Sequence, residues 1–345
     1  MSLLITGATG FIGKGLMLEL TDYTGDIFVL VREHSLKKAI QTFSEMKNVK
    51  FIIGDITNIN ILSDYRDLDI LSQVQKVIHV GGGYDIEMKT EAAYVKNVIG
   101  TQNVISLSKK LPNLLEFHLV SSFSVVGTNK DYATAGDFAE ATEILSPYAE
   151  SKKIAEMMTR KVFKNSSIKL VIYRPGIVIP NFDGELEKID GLYYFFKNIL
   201  KAEKVLKYLP NQLITLYPFD EKAFLPLISL KSVASFISSK IKSKQEESLA
   251  SYFIISEKNK SVRQYMEEAL FLFNKSLILK PVPTALGKRM RFGFGLIPKE
   301  LSDFAFFKTK LIDDKSLDEA KLIEKYNRIN VRTMINQTQK FMGRL

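Results

Sequence analysis

Two pairs in this sequence have the Tyr-x-x-x-Lys spacing that acid–base chemistry can use, Tyr148/Lys152 and Tyr193/Lys197. A chain with 14 tyrosines yields about one such pair by chance, so position has to decide between them. Tyr148 begins a helical pattern over Ser146–Phe163, which puts Lys152 one turn further along the same face. An ammonium there lowers the pKa of the phenol from its ordinary ~10 and suits it to exchange a proton with a substrate oxygen. Ser122 follows a predicted strand in Val120-Ser121-Ser122-Phe123-Ser124, and its hydroxyl can bond the same oxygen as charge develops on it. Serines at strand ends are common, so Ser122 gains weight only from its companions. Tyr193/Lys197 falls in an aromatic run, Tyr193-Tyr194-Phe195-Phe196, that reads as pocket lining or core.

The N-terminus supplies a second reactant. Gly7-Ala8-Thr9-Gly10-Phe11-Ile12-Gly13 has G-x-x-G-x-x-G spacing between a first strand, Ser2–Thr6, and a helical stretch, Ile12–Leu20. Glycines at these places allow a tight turn and let backbone approach a pyrophosphate, which then sits at a helix N-terminus. Gly7, Thr9, Gly10, Phe11, Ile12 and Gly13 are therefore expected on a dinucleotide, whose nicotinamide would carry a hydride and whose ribose Lys152 and Tyr148 would meet. Arg32 comes just after the second strand, where an acid would bond ribose hydroxyls and an arginine accommodates a 2′-phosphate. Lys37 and Lys38 add positive charge and Glu33 opposes it; the balance favours NADP over NAD. Asp55, with Ile56, ends the third strand and reads either as an adenine contact or as a helix N-cap. Gly81-Gly82-Gly83 follows the fourth strand, and Gly81 is expected against the cofactor; a flexible loop is the alternative.

These residues need a scaffold that gathers strand ends. Ser2–Thr6, Asp26–Val31, Val49–Ile53, Lys76–Val80, Glu116–Ser121 and Lys169–Tyr173 read as strands apolar on both faces. Helical patterns separate them, including Leu36–Ser44 and a long one near Ala92–Leu111. This alternation predicts an α/β fold with a doubly wound parallel sheet. We assign residues 1–180 to an NADP-binding Rossmann domain and 181–345 to a smaller, mixed substrate-binding region. Within the latter, about 226–255 returns to the first domain, as an apolar run with a helix at Pro226–Ile241 and a strand at Ser251–Ile255. The tail from Ser316 reads as helical.

Composition narrows the chemistry. Cysteine is absent, and His34, His79 and His118 lack metal-ligand spacing, so thiolate and metal mechanisms are not expected. No apolar run is long enough to span a membrane, and the N-terminus lacks the basic n-region of a signal peptide, which predicts a cytoplasmic protein. The net charge of +10 favours anionic ligands or partners, with solubility as the plainer reading.

Taken in order, these motifs resemble the extended short-chain dehydrogenase/reductase superfamily. The resemblance continues through Asn97-Val98-Ile99-Gly100-Thr101-Gln102-Asn103 and Tyr173-Arg174-Pro175-Gly176 and covers nearly the whole chain. It implies Ser122, Tyr148 and Lys152 as the catalytic set and adds Pro175 and Ile177 to the cofactor contacts. A narrower resemblance lies in His79-Val80-Gly81-Gly82-Gly83-Tyr84-Asp85 and Gly184–Lys197, which look like the thioester-reductase and fatty-acyl-reductase, or male-sterility, branch. That branch implies NADPH-dependent reduction of an acyl thioester, on coenzyme A or an acidic carrier protein, to an aldehyde or alcohol. Glycines here replace that branch's alanines after the histidine, and Leu230-Lys231-Ser232 replaces the Val-Asp-Asp that opens a helix. An NAD-dependent sugar-nucleotide epimerase or dehydratase shares every catalytic motif, and a nucleotide-sensing protein shares the fold. A homodimer is compatible with the sequence, and no nucleic-acid partner is expected. Met290–Lys299 and Phe304–Lys310 mix apolar and basic residues, which suits either a packed helix or a lid over an acyl chain.

Overall fold

The computed structural model describes residues 1–84, 88–127, 132–136, 146–181, 183–187, 189, 192–217, 223–281, 310–312 and 317–344. Seven parallel strands form its central sheet. In chain order they are β1 (Ser2–Thr6), β2 (Ile27–Val31), β3 (Val49–Ile53), β4 (Val74–His79), β5 (Glu116–Val120), β7 (Lys169–Pro175) and β11 (Leu249–Ile254). Across the sheet the order is β11-β7-β5-β4-β1-β2-β3. The chain starts in the middle, winds outward through β2 and β3, then crosses back to β4 and winds the other way. The strand order reverses between β1 and β4, and a crevice opens there beyond the C-terminal strand ends.

The sheet is buried on both faces. Leu3, Leu4 and Ile5 of β1 and Ile27, Phe28 and Val29 of β2 are fully buried. One face carries α1 (Phe11–Leu18), α2 (Glu33–Thr42) and α8 (Leu230–Lys242). The other carries α3 (Asp67–Leu71), α5 (Gly100–Ser108) and α6 (Pro147–Phe163). A short α4 (Thr90–Ala93) runs through a π-helical turn, Tyr94–Ile99, straight into α5. The long helix expected near Ala92–Leu111 is thus one rod with an irregular turn in it, a feature that recurs at functional sites.

A second apolar core joins α7 (Leu192–Leu206), α9 (Val262–Phe271) and α11 (Val331–Met342). Tyr193, Phe195 and Phe196 belong to it, so the aromatic run is the buried face of α7. Three two-stranded parallel ladders complete the described structure. They pair β6 (Tyr132–Thr134) with β13 (Lys310–Ile312), β8 (Ile177–Ile179) with β10 (Leu227–Ser229), and β9 (Gln212–Tyr217) with β12 (Ser276–Pro281). The remaining helix is α10 (Leu317–Tyr326).

The helix that lacks the acidic pair is capped by other means. Ser229 Oγ accepts from Ser232 N at 3.2 Å, and Asn181 Oδ1 accepts from Lys231 N at 2.7 Å. Two of the histidines are structural. His118 Nε2 lies 3.0 Å from Glu116 Oε2, which also meets Lys76 Nζ at 2.9 Å, and His118 Nδ1 lies 2.8 Å from Tyr173 Oη. None of these groups lines the crevice; His79 is taken up below. No helix among the described residues is long and apolar enough to cross a membrane.

Candidate functional site

One cleft of about 1100 Å³ opens along the C-terminal ends of the strands. The glycine-turn, cofactor and catalytic residues expected from the sequence line it, whereas Lys37, Lys38 and Lys197 do not. Gly7, Thr9, Gly10, Phe11, Ile12 and Gly13 come from the β1–α1 turn, Arg32 from the end of β2, Asp55 and Ile56 from the end of β3, and Gly81 from the end of β4. Ser122 comes from the end of β5, Tyr148 and Lys152 from α6, and Pro175 and Ile177 from the β7–β8 turn.

The glycine turn needs its glycines. Gly7 has φ +77°, and a Cβ there would stand 2.5 Å from Gly81 N. A Cβ on Gly13 would stand 2.1 Å from Gly7 O. The turn is therefore folded back on α1 and pressed against the end of β4. Gly10 precedes α1 without any side-chain cap, so the first backbone N–H groups of the helix are left for an anion. These features fit a dinucleotide pyrophosphate. Lys14 on α1 meets Glu187 at 2.7 Å; both are solvent-accessible, so the pair adds little stability.

Beside the glycine turn, Arg32 occupies the N-cap position of α2 and Ser35 also lines the cleft. Asp55 Oδ1 accepts from Thr57 N at 2.9 Å and from Thr57 Oγ1 at 2.8 Å. Its alternative role as a helix N-cap is not what the structure shows; it closes a turn and still faces the cleft. Asn103 Nδ2 supports the same stretch by donating to Ile56 O at 2.8 Å and Asn58 O at 2.9 Å.

The part of the cleft that holds Tyr148 and Lys152 is built on α6. Ser146 caps the helix, accepting from Ala149 N at 3.3 Å, and Pro147 occupies its first turn. Tyr148 is half-buried, its ring edge-on to Tyr84 at 5.0 Å between centroids. Lys152 is buried and its Nζ donates to Val120 O at 2.9 Å, just before the serine pair. Burial pushes the Lys152 ammonium down to about 8, with the Glu156 carboxylate pulling the other way. Ser122 Oγ accepts from Ser124 N at 3.2 Å and lies 2.8 Å from Ser124 Oγ. The rival pair is engaged elsewhere. Tyr193 is buried, and its hydroxyl donates to Gln337 Oε1 on α11 at 2.8 Å. Burial pushes its pKa well up, so it suits a wall of the cleft better than a proton carrier.

A buried hydrogen-bond chain supports the Gly81–Gly83 loop. Thr101 Oγ1 donates to Asn97 O at 2.6 Å, so it can only accept from His79 Nε2, 3.0 Å away. His79 Nδ1 is then an acceptor, and Thr6 Oγ1 donates to it at 2.7 Å while accepting from Gly81 N at 3.2 Å. Burial foremost, with the Lys152 ammonium adding, pushes His79 down to about 3 and keeps it neutral. Asn97, on the π-helical turn, accepts from Gly83 N at 2.8 Å and donates to Gly83 O at 3.1 Å and Ser151 Oγ at 2.9 Å. It therefore joins the glycine loop to the helix that carries Tyr148 and Lys152. Gly81–Gly83 is a held loop, not a slack one. Asn97, Thr101 and His79 stand in segments quoted for their resemblance, but their roles were not readable there. Thr6 offered no signal at all.

The sequence profile of the male sterility protein family matches residues 5–223. A polyketide synthase-nonribosomal peptide synthetase, ffsA, of Aspergillus flavipes is 28% identical over 209 residues, which are 58% of this chain and 5% of the synthetase. A UDP-glucose 4-epimerase of Pasteurella multocida is 28% identical over 171 residues, 48% of this chain and 49% of the epimerase. The chain thus spans half or less of the length of these relatives. Among solved structures, a thiolation-reductase di-domain from an archaeal non-ribosomal peptide synthetase shares the fold. Its TM-score is 0.69 at 15% identity, over 99% of this chain and 76% of that one. This chain belongs to the male sterility protein family.

Proposed function

We propose that this protein is an NADPH-dependent reductase of acyl thioesters, with Ser122, Tyr148 and Lys152 as its catalytic residues. The observation that carries the reading is the continuity of one cleft. It runs from the glycine turn and Arg32, past Ser122, Tyr148 and Lys152, to a mostly apolar end lined by Ile177, Val178, Ile179, Pro180, Leu186 and Tyr193. An apolar end suits an acyl chain better than a sugar, which would need several hydrogen-bonding partners there. Arg32 at the head of α2 favours a 2′-phosphate, because a guanidinium and unpaired helix N–H groups both attract an anion.

When bound, NADPH supplies the hydride. Ser122 holds the thioester carbonyl oxygen and steadies the charge that develops on it. Tyr148 gives its phenolic proton to that oxygen; as the carbon–sulfur bond then breaks, the hydroxyl gives up this proton and the departing sulfur takes it up, leaving aldehyde and thiol. Lys152 remains largely ammonium at neutral pH, since its pKa lies at about 8, and so favours ionisation of the phenol beside it. The acyl group comes on coenzyme A or an acidic carrier protein, consistent with the chain's net charge of +10. The segments read as a lid, Met290–Lys299 and Phe304–Lys310, lie outside the described residues except for Lys310, which begins β13.

NADPH oxidation assayed against acyl thioesters, aldehydes and UDP-sugars tests the reading. Thioester-dependent oxidation supports it. Interconversion of UDP-sugars with NAD retained would establish instead the second reading, which the match to an epimerase favours.

A further inference from the structure

Beneath the cleft lies a carboxylate that does not line it. Glu156 is fully buried on α6, one turn beyond Lys152 on the same face. Its Oε1 accepts from Arg174 Nη2 at 2.6 Å and from Arg160 Nε at 2.8 Å. Its Oε2 accepts from Ser121 Oγ at 2.6 Å and from Arg174 Nε at 3.2 Å. Four donors occupy the acceptor sites of an ionised carboxylate, so the charge is held in place and not neutralised by a proton.

The partners connect this charge to the reacting groups. Ser121 immediately precedes Ser122, and Arg174 immediately precedes Pro175. Glu156 itself shares α6 with Tyr148 and Lys152. Arg174 Nη1 also donates to Ala135 O at 3.2 Å, which adds the segment around β6 to the same knot. Three cleft-lining segments are thus registered against one another through a single side chain. Apolar packing could join three segments without burying any charge. Here the charge lies one helical turn from a buried ammonium, where it has a second use.

We propose that Glu156 is a positioning residue for the reaction. It registers the Ser122 strand end and the Pro175 turn against α6, and it supplies the negative charge that favours the ammonium form of Lys152. The proposal rests on the reading of Ser122, Tyr148 and Lys152 as the reacting set. Among the described residues, the charged or titratable groups around Lys152 are His79 from β4, Tyr148 and Glu156 from α6, and the guanidiniums of Arg160 and Arg174 behind Glu156. Of these five, His79 is neutral and Glu156 is the anion. Replacing Glu156 by a neutral isostere leaves two guanidiniums uncompensated, so the ammonium becomes less favourable and Lys152 loses its proton at lower pH.

The test is the NADPH affinity of the full chain from neutral to alkaline pH, measured by fluorescence without any acyl substrate. Its outcome is therefore independent of which substrate the enzyme takes. In the unmodified protein, affinity falls as pH rises through the Lys152 pKa at about 8. Glu156→Gln moves that fall down by about one pH unit. Glu156→Asp keeps the charge and restores the position of the fall, while its shorter reach still slows turnover. Arg160→Gln removes a cation from the same set at its rim, so the fall moves the opposite way, by less. No movement in Glu156→Gln, or movement of both neutral variants in one direction, overturns the proposal. If Glu156→Gln does not fold, Arg160→Gln decides alone: an upward shift supports the proposal and an unchanged profile overturns it. An unmodified protein whose NADPH affinity is flat across this range removes the Lys152 role, and the proposal with it; thioester reduction would still be judged by its own assay.

Discussion

Replacing Gly13 by alanine tests the glycine turn at its tightest point. The new Cβ would stand 2.1 Å from Gly7 O and 2.7 Å from Ala8 Cα. Relaxed carbon–oxygen contact is about 3.3 Å, so the overlap is roughly 1 Å, and both obstacles are backbone. Retreat of α1 is blocked from behind. Gly15 packs so closely on α8 that a Cβ there would be 2.8 Å from Leu230 Cδ1. The turn must therefore open, displacing the backbone proposed to hold the pyrophosphate. Overpacking of this kind costs about 1–3 kcal/mol and lowers Tm by a few degrees. A displacement of about 1 Å at a binding centre costs on the order of 100-fold, so NADPH Kd should rise by about that factor. Gly15→Ala is the control. Its Cβ meets only a leucine side chain, which can turn aside, so it should lose less stability than Gly13→Ala and keep NADPH affinity within about threefold. Fluorescence titration and thermal unfolding of the two variants separate the effects. A Gly13→Ala protein that binds NADPH as tightly as Gly15→Ala would refute the reasoning.

Arg32→Ala should weaken NADPH by roughly 10–100-fold and leave NADH nearly unchanged, because one charge-assisted contact to phosphate is worth about 1.5–3 kcal/mol. Equal losses for both cofactors, read by titration, would remove Arg32 from that role. His79 makes stability depend on pH. Its folded pKa of about 3 lies below the ordinary 6.5, so the unfolded chain binds more protons between those values. The contribution is complete above about 6.5 and is lost as pH falls toward 3; at pH 5 the loss is ~2 kcal/mol. His118, also pushed down by burial, adds to the same slope. Urea unfolding midpoints at neutral pH and at pH 5 check this, and a slope unchanged in His79→Gln would contradict it.

The Rossmann half was legible because its signals are local. The apolar runs at Ser2–Thr6 and Val49–Ile53 are strands with those same ends, the first buried on both faces and the second an edge strand with Lys50 exposed. The Tyr148 helix begins where Ser146-Pro147 says it should. Residues 180 onward were less readable. The run Tyr193-Tyr194-Phe195-Phe196 showed neither helical nor strand periodicity over four residues, and it is a helix because three of those aromatics face one core. The short ladders pair strands distant in sequence, such as β6 with β13, and no local pattern announces such partners. In the site, residue types that could touch a ligand were found from spacing. Those that hold the first set in place were missed, because Thr6, His79, Thr101 and Glu156 become meaningful only when four separate segments meet.

The central claim is that one cleft moves a hydride from NADPH to an acyl thioester with Tyr148 as the proton donor. The most direct measurement is thioester-dependent NADPH oxidation in single turnover, comparing the unmodified protein with Tyr148→Phe. The variant keeps the ring that packs on Tyr84 and deletes the phenolic proton. The account predicts a rate lower by ~10²–10⁴ with NADPH affinity nearly intact. Full activity in Tyr148→Phe would contradict it, as would an unmodified protein that oxidises no NADPH with any thioester.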